Sequence, residues 1–216
     1  MKTWIVVLII LSLSLIKIPQ AFARDDWECW PTANIKKNIN EKVSLKASFA
    51  GRFKDDMAKF YYGGAQLGVE FKVNKYFSVA PSYLFTKYKN SGYFEDEYRY
   101  ILDAVFSCKV KRLKVDYRSR VEYRDLSALD CWRYRSRFKA GLPVKVYEYS
   151  LMPYISEEVF FNERKNEFDQ NRFSLGVMVK ITEVTSVDIY YILRSDKKGE
   201  DWSERNVLGI SLNFSF

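Results

Sequence analysis

Between Leu113 and Arg124 the chain alternates without a fault. Leu113, Val115, Tyr117, Ser119, Val121 and Tyr123 fall on one side of an extended backbone, and Lys114, Asp116, Arg118, Arg120, Glu122 and Arg124 on the other. Successive side chains of a strand point to opposite faces, so this period of two separates an apolar face from a charged one. The next segment repeats the pattern, with Trp132, Tyr134, Ser136, Phe138, Ala140 and Leu142 against Arg133, Arg135, Arg137 and Lys139. Ten such strands are expected, at approximately 43 to 53, 61 to 73, 77 to 86, 98 to 110, 113 to 124, 132 to 142, 148 to 158, 172 to 181, 185 to 194 and 206 to 216. Although 29% of the chain is charged, the apolar faces of these strands hold no charged residue.

A soluble sandwich and a membrane barrel both produce alternation, and strand length separates them. Strands in soluble domains average five or six residues, whereas a tilted strand crossing hydrocarbon needs roughly 9 to 11. Most of these runs are in the longer class. Connections alternate too: 74–75, 111–112, 143–147 and 182–184 are short, while 54–60, 87–97, 125–131, 160–171 and 195–205 are long and polar. Short turns at one end and long loops at the other are the outer-membrane pattern. The expectation is an all-β, transmembrane, antiparallel up-and-down barrel of about ten strands, with twelve as the alternative.

Both chain ends agree with an exported protein. Lys2 precedes an apolar run from Ile5 to Ile16, and Ala21-Phe22-Ala23 has the small-x-small form cut by signal peptidase, which sets a signal peptide at 1–23. Lys17 and Pro19 interrupt the run before it reaches the length of a spanning helix, and no later segment offers one. A lead-in segment, 24–42, then precedes the barrel, 43–216. Trp27 to Lys37 also alternates, but an eleventh strand would break the even parity of bacterial barrels, so it reads as a lead-in, a plug or part of a twelve-stranded arrangement. At the other end Gly209, Leu212, Phe214 and Phe216 form an aromatic-ended last strand, resembling the signal read by the barrel-assembly machinery. The expected location is a bacterial outer membrane with both termini periplasmic.

Export also decides what the charge means. The formal net charge is +8, and loss of Lys2 and Lys17 lowers it to +6. In a cytoplasmic chain that excess would suggest nucleic acid; in an exported barrel it belongs to the lumen, so the expected partners are the bilayer, the assembly machinery and small anions. Arg118, Arg120, Arg124, Arg133, Arg135, Arg137 and Lys139 make a basic wall. Counting back across the 111–112 turn sets Asp103 opposite Arg120, and counting across the next loop sets Glu122 opposite Arg135, two interior ion pairs. Arg118, Arg124, Arg133 and Arg137 have no acidic neighbour by this count. Pro81 and Pro153, which lack a backbone donor, call for bulges or bends in mid-strand.

The chain has no histidine and three cysteines. Barrel hydrolases of this size use histidine as general base or proton carrier, so no catalytic residue, cofactor or metal is expected. The acidic run Phe94-Glu95-Asp96-Glu97 reads as a solvated loop in preference to a calcium site. Cys108 and Cys131 stand at opposite ends of a strand, too far apart to bridge; Cys29 could meet Cys131 only if the N-terminal segment reaches the outer rim.

Arg52 with Lys54-Asp55-Asp56, Arg120-Val121-Glu122-Tyr123-Arg124, Trp132-Arg133-Tyr134-Arg135-Ser136-Arg137 and Asn171-Arg172-Phe173 together resemble the bacterial family called domain of unknown function 2490. The resemblance covers nearly the whole exported chain. It implies an outer-membrane barrel and brings no established activity with it. The functional expectation is a narrow or closed barrel with an arginine-rich lumen; the alternatives are a small anion-favouring pore and, below that, loop-mediated binding or a histidine-independent enzyme.

Overall fold

In a computed structural model, residues 27–216 are described except for 91 and 127–129. The expected signal-cleavage residues Ala21 and Ala23 lie outside the described residues. Twelve strands follow one another: β1 Trp27–Asn38, β2 Val43–Lys54, β3 Lys59–Lys72, β4 Phe77–Asn90, β5 Tyr93–Val110, β6 Leu113–Leu126, β7 Cys131–Gly141, β8 Val144–Val146, β9 Tyr149–Asn162, β10 Glu167–Lys180, β11 Thr185–Lys198 and β12 Asp201–Ser215. Eleven of them close into a barrel. Each pairs antiparallel with its neighbours, β9 passing directly to β10, except where β12 meets β1.

That last seam is parallel: Trp27 faces Asn206, and the register runs on to Lys36 beside Ser215. Trp27 to Lys37 is therefore a wall strand, and the barrel holds eleven strands where ten were expected. Parity is resolved by the seam, because an odd number of up-and-down strands must bring the first and last together in the same direction. It follows that Trp27 and Phe216 stand at opposite ends of the barrel, so the two ends of the described chain do not share the periplasmic side. The C-terminus is clamped at its own end by Asn38 N–H donating to Phe216 O at 2.8 Å and Phe216 N–H donating to Lys36 O at 2.9 Å.

β8 is the extra strand. It pairs only with the start of β9 and continues the register of β7, from which Leu142 and Pro143 separate it. Pro153 sits where β9 changes partner from β8 to β7; its carbonyl accepts the N–H of Leu142 at 2.9 Å, it has no N–H to return, and the register passes it without a bulge. Near Pro81 the β3–β4 register keeps its count but skips from Gly68–Ser82 to Phe71–Val79. The bulges lie elsewhere, at Arg52/Phe53 and between Phe168 and Gln170.

Turns at the Phe216 end are capped by side chains. Asn40 Oδ1 accepts the N–H groups of Lys42 and Val43, Asn74 Oδ1 those of Tyr76 and Phe77, and Thr182 Oγ1 those of Val184 and Thr185. This is why Asn and Thr occupy these positions: a side-chain oxygen satisfies turn donors that have no ladder partner. At the opposite end, two segments expected as long loops are largely strand. β4 pairs with β5 out to Asn90 and Tyr93, and β11 with β12 out to Lys198 and Asp201. Polar side chains join the outward face there beside Phe94 and Trp202, with Lys87 paired to Asp96 at 3.1 Å, so these hairpins project past the apolar band.

The interior is the polar side. Among the described residues, ten hydrophobic residues are buried against sixteen polar or charged ones, and Leu67, Leu102, Phe138, Ile155 and Ile189 are all exposed. Only hydrocarbon makes such an exterior stable. Outward aromatics cluster toward the Trp27 end, where Tyr100 meets Tyr123, Tyr123 meets Trp132, Tyr134 meets Phe161 and Trp27 meets Tyr191, with ring centroids 5.1 to 6.3 Å apart. They form one interfacial girdle of the barrel.

Candidate functional site: the barrel lumen

Two cavities of about 610 Å³ each occupy the lumen, one toward the Phe216 end and one toward the Trp27 end. Six residues line both: Ser48, Arg52, Gln66, Arg120, Arg135 and Arg172. The cavities meet at this waist, and four of its six residues are arginines.

Registers explain how they converge. Asp103 is opposite Arg120 across β5–β6, and Arg120 grips it with two hydrogen bonds, Nε to Oδ1 and Nη2 to Oδ2, both 2.7 Å. Glu122 is opposite Arg133, not Arg135, because the β6–β7 register differs by two residues from the expected one. Arg135 nevertheless reaches Glu122 diagonally at 2.6 Å, its long side chain spanning the offset. Arg118 donates to Glu158 at 2.5 Å and Arg124 to Glu97 at 2.5 Å, so these two have the acidic neighbours that sequence counting denied them. Arg133 and Arg137 make no ion pair within 4 Å among the described residues.

Four carboxylates, Glu97, Asp103, Glu122 and Glu158, hold six guanidinium groups: Arg99, Arg118, Arg120, Arg124, Arg135 and Arg172. Glu158 alone serves Arg118, Arg135 at 3.0 Å and Arg172 at 3.9 Å. Carboxylates carrying several arginines in a poorly solvated interior are stabilising only while every partner stays in place. Glu97 is the unexpected member. It belongs to β5 rather than a solvated loop, it is buried, and it bonds Arg99 and Arg124; its neighbours in the acidic run accept from protein donors, Glu95 from Tyr88 at 2.6 Å and Asp96 from Lys87.

Aromatic rings complete the waist. The Arg52 guanidinium lies 4.0 Å from the Trp30 ring centre and 4.2 Å from that of Tyr62. Arg172 lies 4.9 Å from Trp30 and 4.5 Å from Phe160, and Arg135 4.6 Å from Phe160, a ring only 1% exposed. Arginine over an aromatic face is held by the ring quadrupole with no carboxylate involved. Trp30 is fixed in turn by Nε1–H donating to Glu28 Oε2 at 2.8 Å, and Glu28 also accepts from Tyr61 at 2.6 Å and Arg205 at 3.1 Å. Toward the Phe216 end, Lys139 Nζ sits 3.3 Å from the Tyr154 ring centre, and Tyr154 donates to Asp188 at 3.0 Å.

Glu28, Trp30, Tyr62, Phe160 and Arg205 are thus part of a site the sequence did not single out. For Glu28 and Trp30 the signal was present in the alternation of β1. The C-terminal residues divide between faces: Leu212 and Phe216 are exposed on the outside, whereas Gly209 faces the lumen under Tyr190. Cys29, Cys108 and Cys131 are free thiols.

Residues 27–205 match the model of the family described as protein of unknown function (DUF2490). The chain belongs to this family. No curated protein matches it significantly. Among solved structures, the chain is similar to a bacterial polysaccharide outer membrane secretin at 14% identity and a TM-score of 0.51, covering 82% of this chain and 77% of that one. It is similar also to LpxR from Salmonella typhimurium at 8% identity, TM-score 0.50, covering 85% and 87%. A KdgM porin follows at 12% identity, TM-score 0.48, covering 85% and 89%. At these identities the likeness is one of fold: an outer-membrane β-barrel.

Proposed function

We propose that this barrel is a narrow, anion-favouring passage across the outer membrane, with no catalytic role. The observation that carries the reading is the waist, where two lumenal cavities adjoin at Arg52, Arg120, Arg135 and Arg172. Like charges set directly opposite across a sheet are unfavourable. Carboxylates do stand opposite some of the arginines, Asp103 opposite Arg120, Glu122 opposite Arg133 and Glu158 opposite both Arg137 and Arg172, but a lumen packed with ion pairs alone would not also set arginine against arginine. This one sets Arg99 opposite Arg124, Arg118 opposite Arg137, Arg120 opposite Arg135, and Arg194 opposite both Arg172 and Arg205. Rings of such residues in a low-dielectric passage concentrate anions and repel cations. The apolar band is solvated by the bilayer, and the barrel-assembly machinery is the partner during insertion.

A sealed scaffold is the second reading, favoured by the stacking of Arg52 between Trp30 and Tyr62. Planar-bilayer recording of the refolded protein decides between the two. A passage gives discrete steps with a reversal potential on the anion side, and a preference that weakens as salt shortens the screening length from about 10 Å at 0.1 M to about 3 Å at 1 M. Arg52→Gln, which removes a waist cation with no carboxylate within 4 Å among the described residues, should lower anion preference. Silence of both proteins at every salt concentration overturns the passage and leaves the scaffold.

A further inference from the structure

The opposed arginine pairs follow a rule with one exception. Arg99 and Arg124 share Glu97, at 2.8 and 2.5 Å. Arg120 and Arg135 share Glu122, at 3.4 and 2.6 Å. Arg194 and Arg205 share Glu28, at 3.7 and 3.1 Å. In each case one carboxylate sits between two guanidinium groups brought side by side by the register. Arg172 and Arg194 do not share one, but each has its own, Glu158 and Asp196. Arg118 and Arg137 are opposed in the same way, yet Arg137 has no carboxylate within 4 Å among the described residues. Glu158, which the register sets directly opposite Arg137, is turned away to Arg118, Arg135 and Arg172.

We infer that a small carboxylate solute docks between Arg137 and Arg118, taking the place that a glutamate fills in the three bridged pairs. The site opens on the cavity at the Phe216 end, which both arginines line. Lys139, two residues along the same face, adds a further positive charge there, its Nζ against the Tyr154 ring. A guanidinium presents a planar fork that matches a carboxylate through two parallel hydrogen bonds, so the residue type suits the ligand. The inference deepens the anion reading of the lumen by naming the solute class. It also stands apart in test, since a solute can dock in a cavity whether or not ions cross the waist.

Titration calorimetry of succinate into the refolded protein, at constant ionic strength in chloride, tests it. Wild type should bind saturably, and Arg137→Gln should weaken binding about tenfold or more, the scale of one charge-assisted hydrogen bond. Lys145→Gln, which removes the same charge from the exposed strand β8, should bind as wild type does. Should Arg137→Gln fail to refold, Arg137→Lys carries the comparison, expected between the two because it keeps the charge and loses the fork. Absence of succinate binding in wild type, or equal binding in the Arg137 variants, overturns the inference. Displacement by inorganic phosphate at equal concentration overturns the carboxylate preference. Succinate binding alongside silent bilayers would reject the passage while keeping the docking site.

Discussion

The ring of Tyr190 covers Gly209 on the neighbouring strand so closely that a Cβ built on the glycine would lie 2.0 Å from Cε2. Tyr154 covers Gly176 in the same manner, at 2.5 Å. In both pairs the missing side chain makes room for a tyrosine lying flat against the wall. Gly209→Ala should displace Tyr190 and destabilise the barrel by about 1–3 kcal/mol, the range for overpacking. A urea midpoint unchanged from wild type would show that the ring swings aside freely.

Removing one member of the buried network should cost more. Asp103→Asn takes the charge from a carboxylate gripped by both arms of Arg120, leaving a poorly solvated guanidinium without its main partner. A loss of about 3–5 kcal/mol is expected by analogy with other broken buried pairs. Arg137→Gln should be close to neutral, since no ion pair is lost and the repulsion of Arg118 is relieved. Comparison of the two unfolding midpoints checks the contrast.

The exterior gives the opposite expectation from a soluble surface. Leu67 is 63% exposed in the middle of β3, and on a water-facing sheet Leu67→Arg would be nearly silent. Facing lipid near the bilayer midplane, it should cost about 2–4 kcal/mol. Folding yield into vesicles reads the difference, and equal yields of variant and wild type would mean that this face does not meet hydrocarbon.

The parallel seam sets which ends share a side. In a background with all three cysteines replaced by serine, Glu200→Cys at the Trp27 end should react with an impermeant thiol reagent on intact cells. Glu183→Cys, in a turn at the Phe216 end, should react only after the outer membrane is opened. A tag joined just ahead of Trp27 should be accessible together with position 200. Labelling of 183 on intact cells would reverse the orientation.

Much of this barrel was legible because a pleated strand converts sequence parity directly into facing. Every member of the basic wall, from Arg118 to Lys139, could be assigned to the lumen by its odd or even position. What parity does not contain is lateral contact. An arginine reaches far enough to choose among carboxylates straight across or two residues along, so Arg135 meets Glu122 from a diagonal position and Arg118 finds Glu158 two strands away. Length limits misled at the ends, where pairing continues beyond the apolar band: Glu97 looked like loop because its outward neighbours are polar, yet it faces the lumen from within β5. The eleventh strand was visible as alternation and set aside on parity alone, since nothing in a linear sequence distinguishes a parallel closure from an antiparallel one.

Closure by a parallel seam has a consequence for rearranging the gene. In an even-stranded barrel the first and last residues meet at one rim, and a short peptide can join them so that the chain is opened at any other turn. Here β1 alone spans 12 residues, about 40 Å at roughly 3.3 Å each, between Trp27 and the rim that holds Phe216. A joining peptide would have to thread the waist between the arginines or cross the lipid along the outside wall. Circular permutation, ordinarily a mild operation on a barrel, would here need a joining segment long enough to cover the full height of the wall between Trp27 and Phe216.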